Sequence, residues 1–322
     1  MEMNEKKKSK KLFKIIGNIA TIVALVLVVW KVFSMDMDFS MLTSLEAWIA
    51  IFSISVLYGL IIIVYGWPWS NYVKMITKVK LKYSSVAYVM AKSNLLKYIP
   101  GNVFQYVGRN ELAIEKDLKH SEVGMATMFD VVTNLMAAAI LGNIFYLEGF
   151  LKVIEALGSK IALVLLVAIV AIILIVCIIY LKKKDIIFKY LGLLKSKSNI
   201  KTCLLNFLFY MINMFINALL FVITLIFILD INMSFSEMYV LMGAFMLSWI
   251  VGFVVPGAPG GIGIREFVIT LLIPNGINIE IILVGMVVYR FINIIGDVLG
   301  FLFAGIIKRV CDFKDKKGEI VR

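Results

Sequence analysis

Two arginines in this sequence stand at the same distance behind a proline-glycine pair. Pro100-Gly101 is followed nine positions after the proline by Arg109, and Pro256-Gly257 is followed at the same interval by Arg265. Acids come soon after both, Glu111 in the first case and Glu266 in the second. Lys97, Asp130, Arg290 and Asp297 also fall within or beside apolar stretches. A charge inside a bilayer costs about 2.5–3.5 kcal/mol on insertion scales, so each of these groups needs a partner or a task. Arginine suits one task in particular: its planar guanidinium stays ionised and grips a phosphate through two parallel hydrogen bonds. The residues therefore point to phosphate binding by Arg109, Arg265 and Arg290. Glu111, Asp130, Glu266 and Asp297 are the expected charge partners. Lys97 either adds a point charge to that site or snorkels to the headgroup layer.

Other chemistries are poorly served. His120 is the only histidine and falls in a predicted cytoplasmic loop, so a Ser-His-Asp or Cys-His arrangement within the membrane is excluded, along with most histidine metal sites. Cys177, Cys203 and Cys311 show no paired spacing for a metal or a disulfide framework. Carboxylates alone could support acid-base chemistry, with Glu111, Asp130, Glu266 and Asp297 as candidates. No cofactor and no metal is expected. The net charge of +12 does not mark a nucleic-acid binder, because the lysines fall in short runs between apolar stretches rather than along one face.

The elements that must position these groups are membrane helices. Hydrophobic residues make up 61% of the chain and charged ones only 17%, so the bilayer is the main solvent. A helix needs about 20 residues to cross a hydrocarbon core of about 30 Å. Runs of that kind occur near 15 to 33, 47 to 67, 121 to 147, 161 to 181, 203 to 229 and 279 to 307. The first follows a lysine-rich start and lacks a small-x-small cleavage site, so it reads as an uncleaved anchor. Two further stretches, 84 to 108 and 236 to 274, are broken by Pro100-Gly101 and by Pro256-Gly257-Ala258-Pro259-Gly260-Gly261.

Lysine and arginine accumulate in short cytoplasmic loops. Here six fall before residue 15, four in 70 to 83, three in 109 to 120, seven in 182 to 201 and six in 308 to 322. Residues 34 to 46, 230 to 236 and 274 to 280 have none, and 148 to 160 has two. Six crossings fit this alternation, with both termini cytoplasmic, only if each broken stretch enters the membrane and returns to the side it left. A rival reading makes 237 to 255 a lone crossing and places the basic C-terminus outside. The expected fold is thus an all-α polytopic membrane protein with about six full crossings and two re-entrant hairpins, or eight helices if the hairpins count as crossings. Residues 1–14 form a basic cytoplasmic start, 15–307 one transmembrane domain, and 308–322 a basic cytoplasmic tail. Within the domain, 47–147 and 203–307 form inverted repeats.

Broken helices at membrane depth are tolerated only where they are buried in protein or line a wet cavity. Inverted repeats with discontinuous helices are how many transporters build a midplane site, helix N-termini facing anionic groups. Gly257, Gly260, Gly261 and Gly263 would let backbone approach a phosphate, or they simply pack a helix break. Arg290, Asn293 and Asp297, spaced three and four apart, share a helical face that should look inward. Asp130 with Asn134, and Asn213 with Asn217, form shorter polar strips; for the asparagines, interhelical packing glue is the favoured role.

Lys97-Tyr98-Ile99-Pro100-Gly101-Asn102 through Arg109, together with Pro256 through Glu266, resemble the lysylphosphatidylglycerol synthase transmembrane region family over roughly residues 12 to 310. The Pro-Gly-Gly-Ile-Gly-x-Arg-Glu stretch is the most specific part. The resemblance implies a flippase-like domain that moves lipids between leaflets, aminoacylated phosphatidylglycerol in the multiple peptide resistance factor and polyprenyl-linked sugars in association with other members. The soluble aminoacyl-transferase module of the fused members has no counterpart here, so a standalone member is expected.

The function expected from the sequence is translocation of an anionic or aminoacylated phospholipid, or a polyprenyl-phosphate-linked lipid, across the cytoplasmic membrane. The alternatives are a membrane transferase acting on a lipid phosphate and a non-catalytic lipid-binding accessory protein. A membrane lipid is the expected substrate, with a lipid-modifying enzyme or an identical subunit as candidate protein partners.

Overall fold

In the computed structural model the described residues are 44–99, 104–109, 118–149, 192–193, 195–254, 261, 263–273 and 277–320. Among them the chain is helical, with no strand. Five helical runs are long and apolar enough to cross a membrane, the architecture of a multi-pass membrane protein. The expected crossings at 47 to 67, 121 to 147, 203 to 229 and 279 to 307 all fall on these runs. Those at 15 to 33 and 161 to 181 lie outside the described residues.

The first run is helix α1 (Leu45–Val64) continued by α2 (Gly66–Thr77). Ser44 caps α1 by accepting the Ala47 N–H at 3.1 Å. The break at Tyr65 has its cause three residues on: Pro68 has no N–H to give to the Val64 carbonyl, and its ring would clash there. In α2 the proline occupies the first turn, where an N–H would go unused in any case. Asn206 binds the Pro68 carbonyl at 2.9 Å and accepts from Asn71 at 2.9 Å, tying the break to a later helix.

The broken stretch 84 to 108 contains α3 (Tyr83–Leu95), a 3-10 turn (Leu96–Tyr98) and the short α4 (Phe104–Gly108). Helix α5 (His120–Phe145) follows, then α6 (Lys197–Ile228). The second broken stretch contains α7 (Phe235–Val254) and α8 (Ile264–Leu272). At 20 residues α7 has the length and hydropathy to cross alone, the length the rival reading of 237 to 255 requires. The 9 residues of α8 are far too few. Helix α9 (Ile279–Ile320) closes the chain. Its 42 residues measure about 63 Å, twice the hydrocarbon thickness, so the helix continues from the apolar run through the basic segment beyond 308.

Helix α9 packs along α1, and α5 packs along α6. Helix α3 lies against α9, and α7 against α5; α4 folds onto α3, and α8 onto α7. These contacts pair off: α1 on α9 matches α6 on α5, α3 on α9 matches α7 on α5, and α4 on α3 matches α8 on α7. Small residues permit the α1–α9 approach: a methyl group on Gly59 would sit 2.9 Å from the Gly296 carbonyl oxygen, and one on Gly300 would sit 2.9 Å from that of Gly59.

The described parts of the lysine-bearing segments after α2, before α5 and before α6 gather at one end of the bundle. Met75, Ile76 and Leu81 pack there with Leu118, Leu193 and Cys203, and Lys82 pairs with Asp312 at 3.6 Å and with Asp315 on the α9 extension. At the other end Tyr146, Ile231, Met238, Ile273 and Ile277 join the largest apolar cluster, beside the segments without lysine or arginine.

Candidate functional site

Between these helices lies a cavity of about 220 Å³. All four expected phosphate ligands, Lys97, Arg109, Arg265 and Arg290, line it. They arrive from different elements: Lys97 from the 3-10 turn, Arg109 from the end of α4, Arg265 from the first turn of α8 and Arg290 from α9.

Three of the four are paired. Arg109 NH1 donates to Asp130 Oδ2 at 2.7 Å, both side chains being buried, and the Tyr210 hydroxyl donates to the other oxygen of Asp130. The Arg109 guanidinium also lies 5.2 Å from the Tyr106 ring centre and 6.0 Å from that of Trp69. Lys97 Nζ lies 2.6 Å from Asp297 Oδ2, above the rings of Tyr58 and Tyr98. Asp297 is fully buried and accepts two more bonds, from Asn94 at 2.6 Å and from the Tyr98 hydroxyl. Arg290 NH2 lies 2.6 Å from Glu266 Oε1.

Arg265 differs. It has no ion pair among the described residues, whereas its Nε, like that of Arg109, is buried without a hydrogen-bond partner. Neighbouring Glu266 is already engaged: Oε2 accepts the Gly263 N–H at 2.7 Å, which closes the first turn of α8, while Oε1 faces Arg290. The Arg265 side chain runs over backbone that only glycine provides. A methyl group on Gly252 would fall 2.5 Å from its Cγ, and one on Gly261 would fall 2.9 Å from its Nε. Gly261 also has φ of +74°, the left-handed region that glycine enters without penalty. The charge of Arg290 opposes that of Arg265, and Glu266 pairs with Arg290.

No family model, curated protein or solved structure matches the chain.

The sequence reading expected the acids to hold the arginines. Asp130 and Glu266 do so, whereas Asp297 holds Lys97, whose ammonium is thereby directed into the cavity. Arg290 and Asn293 line the cavity and Asp297 lies beneath them, as their spacing on one face requires. The Asn213–Asn217 pair bonds within α6 at 3.0 Å, and the link across to α9 comes from the Tyr289 hydroxyl to the Asn217 carbonyl at 2.9 Å. Gly261 and Gly263, at φ of +74° and +79°, mark the turn into α8. Glu111 and the breaking residues Pro100, Gly101, Pro256, Gly257, Pro259 and Gly260 lie outside the described residues.

The sequence reading missed the tyrosines. Tyr58, Tyr65, Tyr98, Tyr106 and Tyr289 all line the cavity. Tyr58 on α1 and Tyr65 at its C-terminal cap stand seven apart, which puts them on one side of the run, a signal that was present in the spacing.

Proposed function

We propose that this chain is a lipid translocase, a flippase or scramblase, whose central cavity receives a lipid phosphate on Arg265, with Arg290 beside it. One observation carries the reading: in a cavity between apolar helices, three cations are matched by carboxylates within 2.7 Å, and Arg265 has none among the described residues. A half-buried guanidinium without a counter-ion is costly to maintain, and a ligand phosphate supplies the missing partner. The resemblance to the lysylphosphatidylglycerol synthase transmembrane region family points the same way.

The two broken stretches act as re-entrant hairpins of an inverted repeat. Reciprocal packing of the two halves supports this, as does the placement of their ends. Helices α2 and α5 meet at the lysine-rich end, so the stretch between them leaves and returns on that side. Helices α6 and α9 meet at the lysine-poor end, with the second broken stretch between them. The lysine-rich end then faces the cytoplasm, together with both termini, and the bilayer is the cytoplasmic membrane. Rocking of the hairpins, with exchange of Glu266 between Arg290 and Arg265, alternates access to the cavity.

The test is reconstitution into liposomes with labelled anionic, aminoacylated and polyprenyl lipids, comparing the native chain with Arg265→Ala. Movement that the substitution abolishes is the expected result. No movement above that of empty vesicles would refute the translocase, and a covalently altered lipid would favour a transferase instead.

A further inference from the structure

The charges around the cavity set the charge of its ligand. Lys97, Arg109, Arg265 and Arg290 face it, and Asp130, Glu266 and Asp297 are the carboxylates bound to them. Four cations against three carboxylates leave one positive charge uncompensated among the described residues. A ligand with one negative charge brings the site to neutrality. A headgroup carrying an additional ammonium would return the excess charge, with each of the three carboxylates already engaged. Burying unbalanced charge in low dielectric is what this site can least tolerate.

A second group specifies more than charge. Asn293 lines the same cavity, and its Oδ1 is buried with no hydrogen-bond partner. Around the cavity two guanidinium donors, Arg109 Nε and Arg265 Nε, and two acceptors, Glu266 Oε1 and Asn293 Oδ1, are buried without a hydrogen-bond partner; Arg109 and Glu266 are ion-paired, which leaves Arg265 as the donor without an ion pair among the described residues and Asn293 as the neutral acceptor. The donor suits a phosphate oxygen, and the acceptor suits a hydroxyl. Asn134, Asn213 and Gln105 extend the neutral polar lining.

Building on the translocase reading, we infer that the cavity selects a lipid whose headgroup is a singly charged phosphodiester bearing uncharged hydroxyls, and that it discriminates against aminoacylated, ammonium-bearing headgroups. Arg265 holds the phosphodiester, and Asn293 accepts a headgroup hydroxyl. A glycerol phosphodiester lipid and a polyprenyl phosphodiester of a sugar share this chemistry.

The experiment measures transport in liposomes of four labelled lipids: phosphatidylglycerol, a polyprenyl-phosphoryl monosaccharide, lysyl-phosphatidylglycerol and phosphatidic acid. The native chain should move at least one of the first two faster than lysyl-phosphatidylglycerol by about tenfold or more, the scale of one charge-assisted hydrogen bond. Which of the two moves identifies the lipid source. Asn293→Asp adds the missing carboxylate and should shift the ratio toward the lysyl lipid, a gain that misfolding cannot produce. Arg265→Gln reaches the same net charge by removing a cation and should erase the preference for anionic lipid. Asn293→Leu should remove the advantage of phosphatidylglycerol over phosphatidic acid. Transport without headgroup preference, or a ratio that Asn293→Asp leaves unchanged, overturns this selectivity while the translocase stands. Absence of all transport overturns both.

Discussion

The two arginines that follow the Pro-Gly pairs share a spacing and line one cavity, yet their surroundings are opposite. Arg109 ends α4 held by Asp130 at 2.7 Å, with Tyr210 bonded to the same carboxylate and Tyr106 and Trp69 beside the guanidinium. Arg265 opens α8 over the bare backbone of Gly252 and Gly261, its adjacent acid committed to Arg290 and to the turn. On the proposed function, the repeated motif divides into an anchor, Arg109, and a ligand position, Arg265. Arg109 fastens α4 to α5, whereas Arg265 offers its charge to the cavity.

The largest effect should come from breaking the anchor. Asp130→Ala leaves Arg109 buried and unpaired, and thermal unfolding in detergent should register a loss of about 3–5 kcal/mol, with the double substitution Arg109→Leu/Asp130→Leu recovering most of it. Arg265→Gln should do the reverse. It removes an uncompensated charge, so stability should hold or rise while transport of anionic lipid falls about ten- to a hundredfold. Gly252→Ala sharpens the contrast, since the added methyl meets Arg265 Cγ at 2.5 Å and must displace a flexible side chain. Transport should fall severalfold, with the unfolding midpoint nearly unchanged.

The smallest effect lies far from both arginines. Lys82 is held above its ordinary value of 10.5 chiefly by its hydrogen bond to Asp315, with the charges of Asp315 and Asp312 assisting. A raised folded value means that the clasp contributes fully below pH 10.5 and is lost as pH rises through the folded value. Cross-linking between cysteines placed at 82 and 315 should be efficient, and hydrogen exchange along the end of α9 should accelerate only in strong alkali. The transport ratio of the Arg265 and Arg109 variants should be indifferent to Lys82→Met.

Much of this was legible in the residues. Charge in an apolar run is conspicuous, and so the four cations of the cavity were all found. Three-and-four spacing placed Arg290, Asn293 and Asp297 on one face, and lysine counts foretold which segments gather at one end. Pairing was less legible, because it depends on how helices distant in sequence cross. Lys97 meets Asp297 where α3 and its 3-10 turn pack against α9, and no local pattern encodes that encounter. The full length of α9 was not legible either, since apolar content stops where charge begins while the backbone continues as helix to Ile320. The tyrosines of the cavity were overlooked because a half-polar ring reads equally well as core.

The most direct measurement compares phospholipid transport by the native chain, by Arg265→Gln and by the charge-neutral double substitution Arg109→Gln/Asp130→Asn, each reconstituted at equal density. If Arg265 is the ligand position and Arg109 the anchor, the double variant retains most of the transport and Arg265→Gln loses nearly all of it. Equal loss in both, or loss in the double variant alone, would contradict the division between the two sites.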